Sequence, residues 1–364
     1  MQVLDQTGFP HQMGMGMDVA GRSYMTLTVK GSFAFPDRES ELPRPLDMQR
    51  PLVMADEFTG APGFSAPLWE SDFAFRKPMC DVVVNGAAHA PQGRPVERLR
   101  VGLAVGNWSK QFDVVGQREW RTLGPAITAT RPYPFTRMPF SYDTAFGGPD
   151  RSRPAGPDVP VYAPNPVGLG FATATGGNPA GLALPNTEAP GQEISSPYGG
   201  YRPMSLGPYG RGWPLRLPFG GTYDAKWIEE TAPFLPADFD DRYYQSAPPD
   251  QQIPFPAPHS PVVLVHLTPR GREAFHLPDT RLPIRVWRGA EEVIDRQCLP
   301  DSLLLDTEAR ILMLVWRVWA PIRRTMAEFT RAWVGAPTGA MLRAEEEGRG
   351  YLRAYAVIGE ENPP

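Results

Sequence analysis

Apolar and polar residues alternate along the N-terminal part of the chain. From residue 24 to residue 35, every second position is apolar or glycine, with threonine and lysine among the residues between them. Because successive side chains of a strand point to opposite faces of a sheet, this period of two predicts a half-buried β-strand. The polar positions, including Lys30, are expected on the exposed face.

The same alternation recurs in two further stretches. Between residues 81 and 115 it predicts an antiparallel meander with a two-residue hairpin turn at Gly106-Asn107. From Pro261 onward the runs VVLVHL, PIRVWRG, SLLLDT and ILMLVWRVW are separated by short turns. We therefore expect a mainly β protein, whose antiparallel, sandwich-like core takes strands from both the N-terminal and the C-terminal flank.

The middle of the chain has no such pattern. Residues 132–258 contain 24 prolines, 16 glycines and 19 of the 39 aromatic residues of the chain. Proline and glycine interrupt helices and strands, whereas large aromatic rings bury enough area to hold an irregular backbone in place. This composition predicts an ordered surface built from loops, and such surfaces commonly carry function.

These patterns divide the chain into four parts. We expect an N-terminal antiparallel β part at 1–125, an irregular segment at 126–258 packed on the core, a C-terminal β part of the same core at 259–321, and a helical extension at 322–364. In the last part Met326, Phe329, Trp333 and Val334 recur near helical spacing, and residues 341–358 carry a partial apolar stripe. One or two C-terminal helices are predicted.

Charge and composition exclude several classes of partner. The net charge is −4 and the basic residues form no stripe, so nucleic acid is not expected as a partner. No apolar run reaches the roughly 20 residues of a membrane helix, and the first residues lack a signal core, which together predict a cytoplasmic protein that does not bind membranes. The two cysteines, Cys80 and Cys298, lie far apart and are expected as buried thiols.

Catalytic patterns are scarce. The five histidines have no ligand spacing, and no turn around a nucleophilic serine is recognisable, so we expect neither an enzyme nor a bound metal or cofactor. One alternative remains open, because carboxylates beside aromatic rings are what glycoside hydrolysis uses. Its candidates are Asp224, Glu230, Asp238, Asp240 and Asp250. Equally, such acids in proline-rich loops accept backbone N–H bonds in turns.

Six phrases of the sequence resemble, in order, those of one bacterial family. They are WESDFAFRKPMCDVVVNGAAHAP at 69–91, PFTRMPFSYDTAFGG at 134–148, NPVGLGF at 165–171, LPNTEAP at 184–190, GTYDAKW at 221–227 and FLPADFDDRYYQSAPPDQ at 234–251. The chain thus resembles, over roughly residues 20 to 320, a family of domains of unknown function found beside type VI secretion genes. The resemblance implies a non-enzymatic adaptor or chaperone. Its partner would be an effector with a PAAR-type tip domain, with the spike protein as a further partner.

The residue types of the middle segment suit an adaptor. Aromatic and arginine side chains dominate the energetics of protein interfaces. Our candidates for partner contact are Trp213, Arg216, Tyr223, Trp227, Arg242, Tyr243 and Tyr244. About half of such rings are expected to pack the segment onto the core instead. A third hypothesis is a structural or carbohydrate-binding β-module, which would need a flat platform of exposed rings.

Overall fold

A computed structural model describes residues 1–349 of the chain. The first third of the chain is built from strands joined by turns and longer loops. These strands are β1 (Gln2–Asp5), β2 (His11–Met17), β3 (Ser23–Ala34), β4 (Arg44–Pro45), β5 (Glu57–Phe58), β6 (Pro67–Trp69), β7 (Cys80–His89), β8 (Arg98–Val105), β9 (Trp108–Val115), β10 (Trp120–Leu123) and β11 (Ala126–Ala129).

The proline-rich middle segment contains little regular structure. Its strands are β12 (Arg137–Phe140), β13 (Phe146–Gly147), β14 (Leu169–Gly170), β15 (Thr187–Glu188) and β16 (Gln252–Ile253), and its one α-helix among the described residues is α1 (Ala225–Glu230). The remaining ordered turns are short 3-10 helices. They lie at Tyr142–Thr144, Leu217–Gly220, Asp241–Tyr244 and Pro249–Gln251, with two more outside this segment at Pro91–Gly93 and Met326–Glu328.

The C-terminal part is again made of strands. They are β17 (Pro261–Val265), β18 (Arg272–His276), β19 (Leu282–Arg288), β20 (Glu291–Cys298), β21 (Ser302–Asp306), β22 (Ile311–Pro321) and β23 (Phe329–Val334), followed by helix α2 (Gly339–Glu346). The helix predicted over Met326–Val334 is wrong, since these residues form a 3-10 turn and then β23. The second predicted helix is present in part as α2, and residues 350–358 of that prediction lie outside the described residues.

The largest sheet unites the two flanks of the sequence. Its strand order is β12-β7-β21-β22-β3-β2, so N-terminal β3 and β7 pair with C-terminal β22 and β21. This confirms a mainly β, sandwich-like fold whose core takes strands from both flanks. Ten of the twelve residues of β3 are buried, Lys30 among them. The predicted exposed polar face of this strand is therefore wrong, because both faces of β3 are covered.

A five-stranded sheet has the order β15-β9-β8-β17-β18. The hairpin predicted at Gly106-Asn107 is confirmed, because β8 and β9 pair with Val105 opposite Trp108. Gly106 has a φ of +57°, a conformation that costs glycine little. Ring contacts join the two sheets: Phe112 of β9 lies 5.4 Å from Phe140 of β12, measured between ring centroids.

Backbone contacts divide the chain into two compact units. The larger comprises residues 9–281 and 298–323 and contains both sheets described above. The smaller comprises residues 1–8, 282–297 and the described residues from 324 on. Within the smaller unit a four-stranded sheet of order β1-β23-β19-β20 packs Leu4, Trp287 and Trp333 around Met341 of α2.

Two further observations concern the described residues. None of the helices between residues 1 and 349 is long and apolar enough to cross a lipid bilayer. Cys80 and Cys298 are buried thiols rather than a disulfide, as the sequence predicts. Burial raises the pKa of the Cys80 thiol well above its usual value, which makes it a poor nucleophile.

Candidate functional site

A buried arginine fixes the middle segment to the loop that precedes β7. Arg216 Nη2 donates to Glu70 Oε1 at 2.6 Å. The same guanidinium donates through Nε to the Tyr243 carbonyl and through Nη1 to the Tyr209 carbonyl, both at 2.9 Å. A planar, five-donor guanidinium can bind three acceptors at once, which an ammonium group cannot do with the same geometry.

A buried aspartate holds the other end of this stretch. Asp81, fully buried at the start of β7, accepts hydrogen bonds from Gln245 Nε2 at 2.5 Å and from the Ser246 backbone N–H at 2.8 Å. Its negative charge is balanced by Lys77 Nζ at 2.6 Å. Residues 213–244, which we call the docking segment, are thus attached near both ends to the loop between residues 69 and 81.

The beginning of the docking segment is buried. Trp213 packs edge to face on Tyr142, with ring centroids 5.5 Å apart, and lies 5.4 Å from Tyr209. Ala66 and Val167 complete this cluster. The structure therefore places two of the seven candidate contact residues, Trp213 and Arg216, in the interior, where they anchor the segment and are not accessible to a partner.

Apart from its buried anchors, the docking segment presents large apolar side chains to solvent. Asp224 caps α1 by accepting the Trp227 N–H at 2.8 Å, which starts the short helix. Tyr223 and Trp227 meet edge to face at 4.7 Å, and Trp227 Nε1 donates to the Phe234 carbonyl at 2.9 Å. The exposed fractions of the large apolar residues here are 46% for Leu215, 52% for Leu217, 56% for Tyr223, 65% for Ile228 and 47% for Phe234.

Aromatic rings also pack together at the end of the docking segment. Phe239 packs against Tyr243 and Tyr244 at 5.9 and 5.5 Å between ring centroids. Burial raises the pKa of Tyr244 to about 12, so the phenol stays neutral. Exposed Arg242 stacks over the Phe219 ring at 4.2 Å. Of the candidate residues, Tyr223 and Arg242 are exposed, whereas Trp227, Tyr243 and Tyr244 are half-buried.

Sequence reasoning missed the aliphatic members of the surface. Leu215, Leu217 and Ile228 were not among the candidates, and neither was Phe234, although all four are large and exposed. Their sequence signal is weak, because an apolar residue between prolines, as in WPLRLPF and APFLP, packs inward as readily as outward.

The candidate acids are each engaged locally. Besides the helix cap Asp224, Asp238 accepts the Thr222 N–H and hydroxyl at 3.0 and 2.8 Å, and Asp240 accepts the Arg242 N–H at 2.8 Å. The Thr222 bonds lower the pKa of Asp238, and hydrogen bonds from the Arg242 guanidinium and N–H lower the pKa of Asp240, the reverse of what a general acid needs.

The other two acids pair with basic residues. Asp250 contacts Lys110 Nζ at 2.9 Å and Arg202 Nη2 at 2.8 Å, and exposed Glu230 lies 4.0 Å from Lys226. Among residues 1–349 no three His, Cys, Asp or Glu side chains come together as metal ligands.

Residues 20–317 match a protein family described as uncharacterized proteins conserved in bacteria, DUF2169. The chain belongs to the DUF2169 family. The family description names bacteria but neither an activity nor a secretion apparatus. No curated protein and no solved structure matches the chain. The docking segment lies inside the matched range, whereas β23 and α2 lie outside it.

Residues of three of these phrases hold parts of this DUF2169 chain together. In the phrase at 69–91, Asp72 pairs with Lys30 of β3 at 2.9 Å, both fully inside the protein. Asn165, in the phrase at 165–171, donates to the Tyr142 and Phe146 carbonyls. Gly148 leaves no room for a side chain, because a Cβ would lie 1.9 Å from the Gly168 carbonyl oxygen. Asp72, Gly148 and Asn165 therefore serve the packing of the fold.

Proposed function

We propose that this DUF2169 protein is a non-enzymatic adaptor or chaperone that binds a polypeptide client through its docking segment. The observation that carries the proposal is the exposure of five large apolar residues in a segment that buried contacts hold in place. All five lie in a stretch of 20 positions, and they are Leu215, Leu217, Tyr223, Ile228 and Phe234. Exposed apolar surface of this kind marks interaction sites in soluble proteins.

The anchoring supports binding as much as the exposure does. A loop that is already ordered loses little conformational entropy when a partner binds, so more of the contact energy is available as affinity. Arg216 and Asp81 supply that order from buried positions. The segment also carries Tyr223, Trp227 and Arg242, and tyrosine, tryptophan and arginine are the residue types enriched in interface hot spots.

The same geometry favours a protein client over the two alternatives. Glycoside hydrolysis needs one carboxyl group of raised pKa facing another, whereas Asp238 and Asp240 are turn acceptors of lowered pKa. A glycan platform needs coplanar exposed rings, whereas Tyr223 and Trp227 meet at an interplanar angle of 69°.

The finer identity of the client follows from the resemblance of the phrases between residues 69 and 251. We propose a type VI secretion effector with a PAAR-type tip domain as the client, and the secretion spike as the assembly onto which it is loaded. Loading would precede export, which places the adaptor in the cytoplasm. No cofactor, metal, nucleic acid or membrane is needed for this role.

Co-expression tests the proposal. The proposed client, an effector with a PAAR-type tip domain, is produced with the wild-type chain, with Ile228→Ser/Phe234→Ser, or with Phe64→Ser, which makes the same kind of change at an exposed phenylalanine outside the docking segment. We expect the effector to be soluble and secreted with the wild type and with Phe64→Ser, and to be lost from both fractions with the double variant. An effector that is as soluble and as well secreted without any adaptor would refute the proposal.

A further inference from the structure

The edges of the sheets differ in how they are protected. The outer strands of the three largest sheets are β1 and β20, β12 and β2, and β15 and β18. Proteins discourage other chains from pairing with an edge by placing charged residues or proline there, or by keeping the strand very short. Five of the six edges have such protection: Asp5 in β1, Glu291 in β20, Arg137 and Pro139 in β12, Glu188 in the two-residue β15, and Arg272 in β18.

The sixth edge, β2, has none of these features. Its sequence, HQMGMGM, contains no acid, lysine, arginine or proline over seven residues. It pairs with β3 without a register shift from His11 to Met17, so no bulge turns the edge away. None of its residues is buried, in contrast to its neighbour β3.

The hydrogen-bonding groups on the outer side of β2 can be assigned from the ladder. Lys30 N–H donates to the Pro10 carbonyl and Asp18 N–H to the Arg22 carbonyl. Because bonded pairs alternate in an antiparallel ladder, Gln12, Gly14 and Gly16 face β3, and the backbone groups of His11, Met13, Met15 and Met17 point outward. Within residues 1–349 no other segment bonds to these outward groups.

The two faces of β2 also differ. Gly14 and Gly16 lie on a face covered by aromatic rings, since a Cβ at Gly16 would come within 2.4 Å of the Phe75 ring. The opposite face presents a row of methionines, with Met15 67% exposed. Methionine is flexible and polarizable, so such a row can pack against apolar side chains of many shapes.

We propose that β2 receives an extended, uncharged segment of the client polypeptide as an additional strand of the large sheet. The outward N–H and C=O groups supply main-chain hydrogen bonds, and the methionine row supplies side-chain contact, as in other cases of strand addition. An incoming strand without charge fits because β2 offers no charged side chain with which to pair.

The position of β2 identifies the client rather than a second copy as the occupant. Gly21, in the turn between β2 and β3, lies beneath Phe234 of the docking segment, where a Cβ would be 3.0 Å from the ring. One polypeptide can therefore run from the docking segment onto the edge. The choice of the client as occupant rests on the proposed function. The observation that the edge of β2 is open does not depend on that function.

The test uses proline at the outward positions. Met13→Pro/Met15→Pro removes two outward N–H groups and leaves the hydrogen bonds to β3, because proline is tolerated on the free side of an edge strand. Met13→Ala/Met15→Ala is the matched control, which shortens the side chains and keeps the N–H groups. Both variants are checked by thermal unfolding, then assayed for residue-resolved amide exchange and for affinity to the proposed client, an effector with a PAAR-type tip domain. A synthetic peptide of alternating threonine and valine serves as a second probe.

We expect effector binding to slow exchange of the Met13, Met15 and Met17 amides at least tenfold. The folded proline variant should bind the effector at least tenfold more weakly than the folded alanine variant, because both lack the methionine side chains and only the proline variant also lacks the outward N–H groups. If the effector binds but neither slows exchange of these amides nor loses affinity for the proline variant, the strand-addition proposal is wrong. The proposed role of the docking segment would not be affected by that result. If the effector does not bind at all, the proposed function is wrong. If, in addition, the peptide does not slow exchange of the outward amides of β2, the proposal that this edge accepts a strand is wrong too. A wild-type dimer that the proline variant dissociates would assign the edge to a second copy and refute the client.

Discussion

Arg216 donates to Glu70 Oε1 at 2.6 Å, so the docking segment and the loop at 69–81 are joined by an ion pair whose two side chains are almost entirely buried. An ion pair in this setting has lost its hydration, and its hydrogen bonds must be made within the protein. The guanidinium makes them, because the remaining nitrogens of Arg216 bind two backbone carbonyls, those of Tyr209 and Tyr243. The contact therefore fixes the position of the exposed surface without being part of it.

Replacing Arg216 with lysine is expected to loosen the docking segment. Lysine keeps the charge but cannot bind Glu70 and the Tyr209 and Tyr243 carbonyls together. We predict at least tenfold faster limited proteolysis between residues 213 and 244. Arg242→Lys is the control, because Arg242 is exposed and pairs with nearby Asp240. Equal cleavage rates in Arg216→Lys and wild type would contradict an anchoring role.

Lys30 is expected to be critical for stability. Its ammonium lies 2.9 Å from Asp72 Oδ2 in the interior, and Lys30→Met would leave that carboxylate buried without its partner. The free energy of unfolding, measured by urea denaturation, should fall by about 3–5 kcal/mol. Lys226→Met, which removes an exposed lysine 4.0 Å from Glu230, should change it by less than about 0.5 kcal/mol. A loss below about 1 kcal/mol in Lys30→Met would show that the pair is not needed.

Two glycines of similar φ separate backbone strain from steric exclusion. Gly148 has a φ of +78° and an occupied Cβ position, whereas Gly181 has a φ of +85° and open space. Gly181→Ala should lower the free energy of unfolding by about 1–2 kcal/mol, the cost of the left-handed conformation. Gly148→Ala should cost more than that, because the new methyl group would displace the Gly168 carbonyl. Similar losses in thermal unfolding of the two variants would mean that the close approach at Gly148 is easily relieved.

Asp150 gives the protein a defined acid sensitivity. Burial raises the pKa of this carboxyl, but hydrogen bonds from Ser152 and Thr173 outweigh it and lower the pKa to about 2. Since the unfolded value is near 4, the group's contribution of about 2 kcal/mol is present above pH 4 and is lost as the pH falls toward 2. Asp150→Asn should reduce the stability at pH 7 by that order and flatten its change between pH 4 and pH 2. An unaltered pH profile of the variant would contradict this assignment.

The sequence predicts the strands well where local pattern and tertiary pairing agree. The Gly106-Asn107 hairpin is one such case, because turn chemistry and alternation both act over a few residues. Phe329 and Trp333 show the opposite: their spacing suits a helix, but pairing with β19 and β1 places them in a strand. Long-range pairing of this kind leaves no local signal.

The composition of the chain predicts where the docking segment lies, but it does not predict which of its residues are exposed. Trp213 and Tyr223 are both large aromatic residues in proline-rich sequence, yet one is buried and the other is exposed. This difference in burial arises from contacts between distant parts of the chain, such as that of Trp213 with Tyr142. The buried partner of Lys30 was missed for the same reason, since Asp72 lies 42 positions further along the sequence.

The affinity of purified effector for variants of the docking segment tests the central claim most directly. Titration calorimetry with the proposed client, an effector that carries a PAAR-type tip domain, should give dissociation constants at least tenfold weaker for Trp227→Ala and for Ile228→Ser, about 1.4 kcal/mol each, since such residues dominate interface energetics. Phe64→Ser, at an exposed site outside the segment, should bind like the wild type. Wild-type affinity in folded Trp227→Ala and Ile228→Ser proteins would contradict the account.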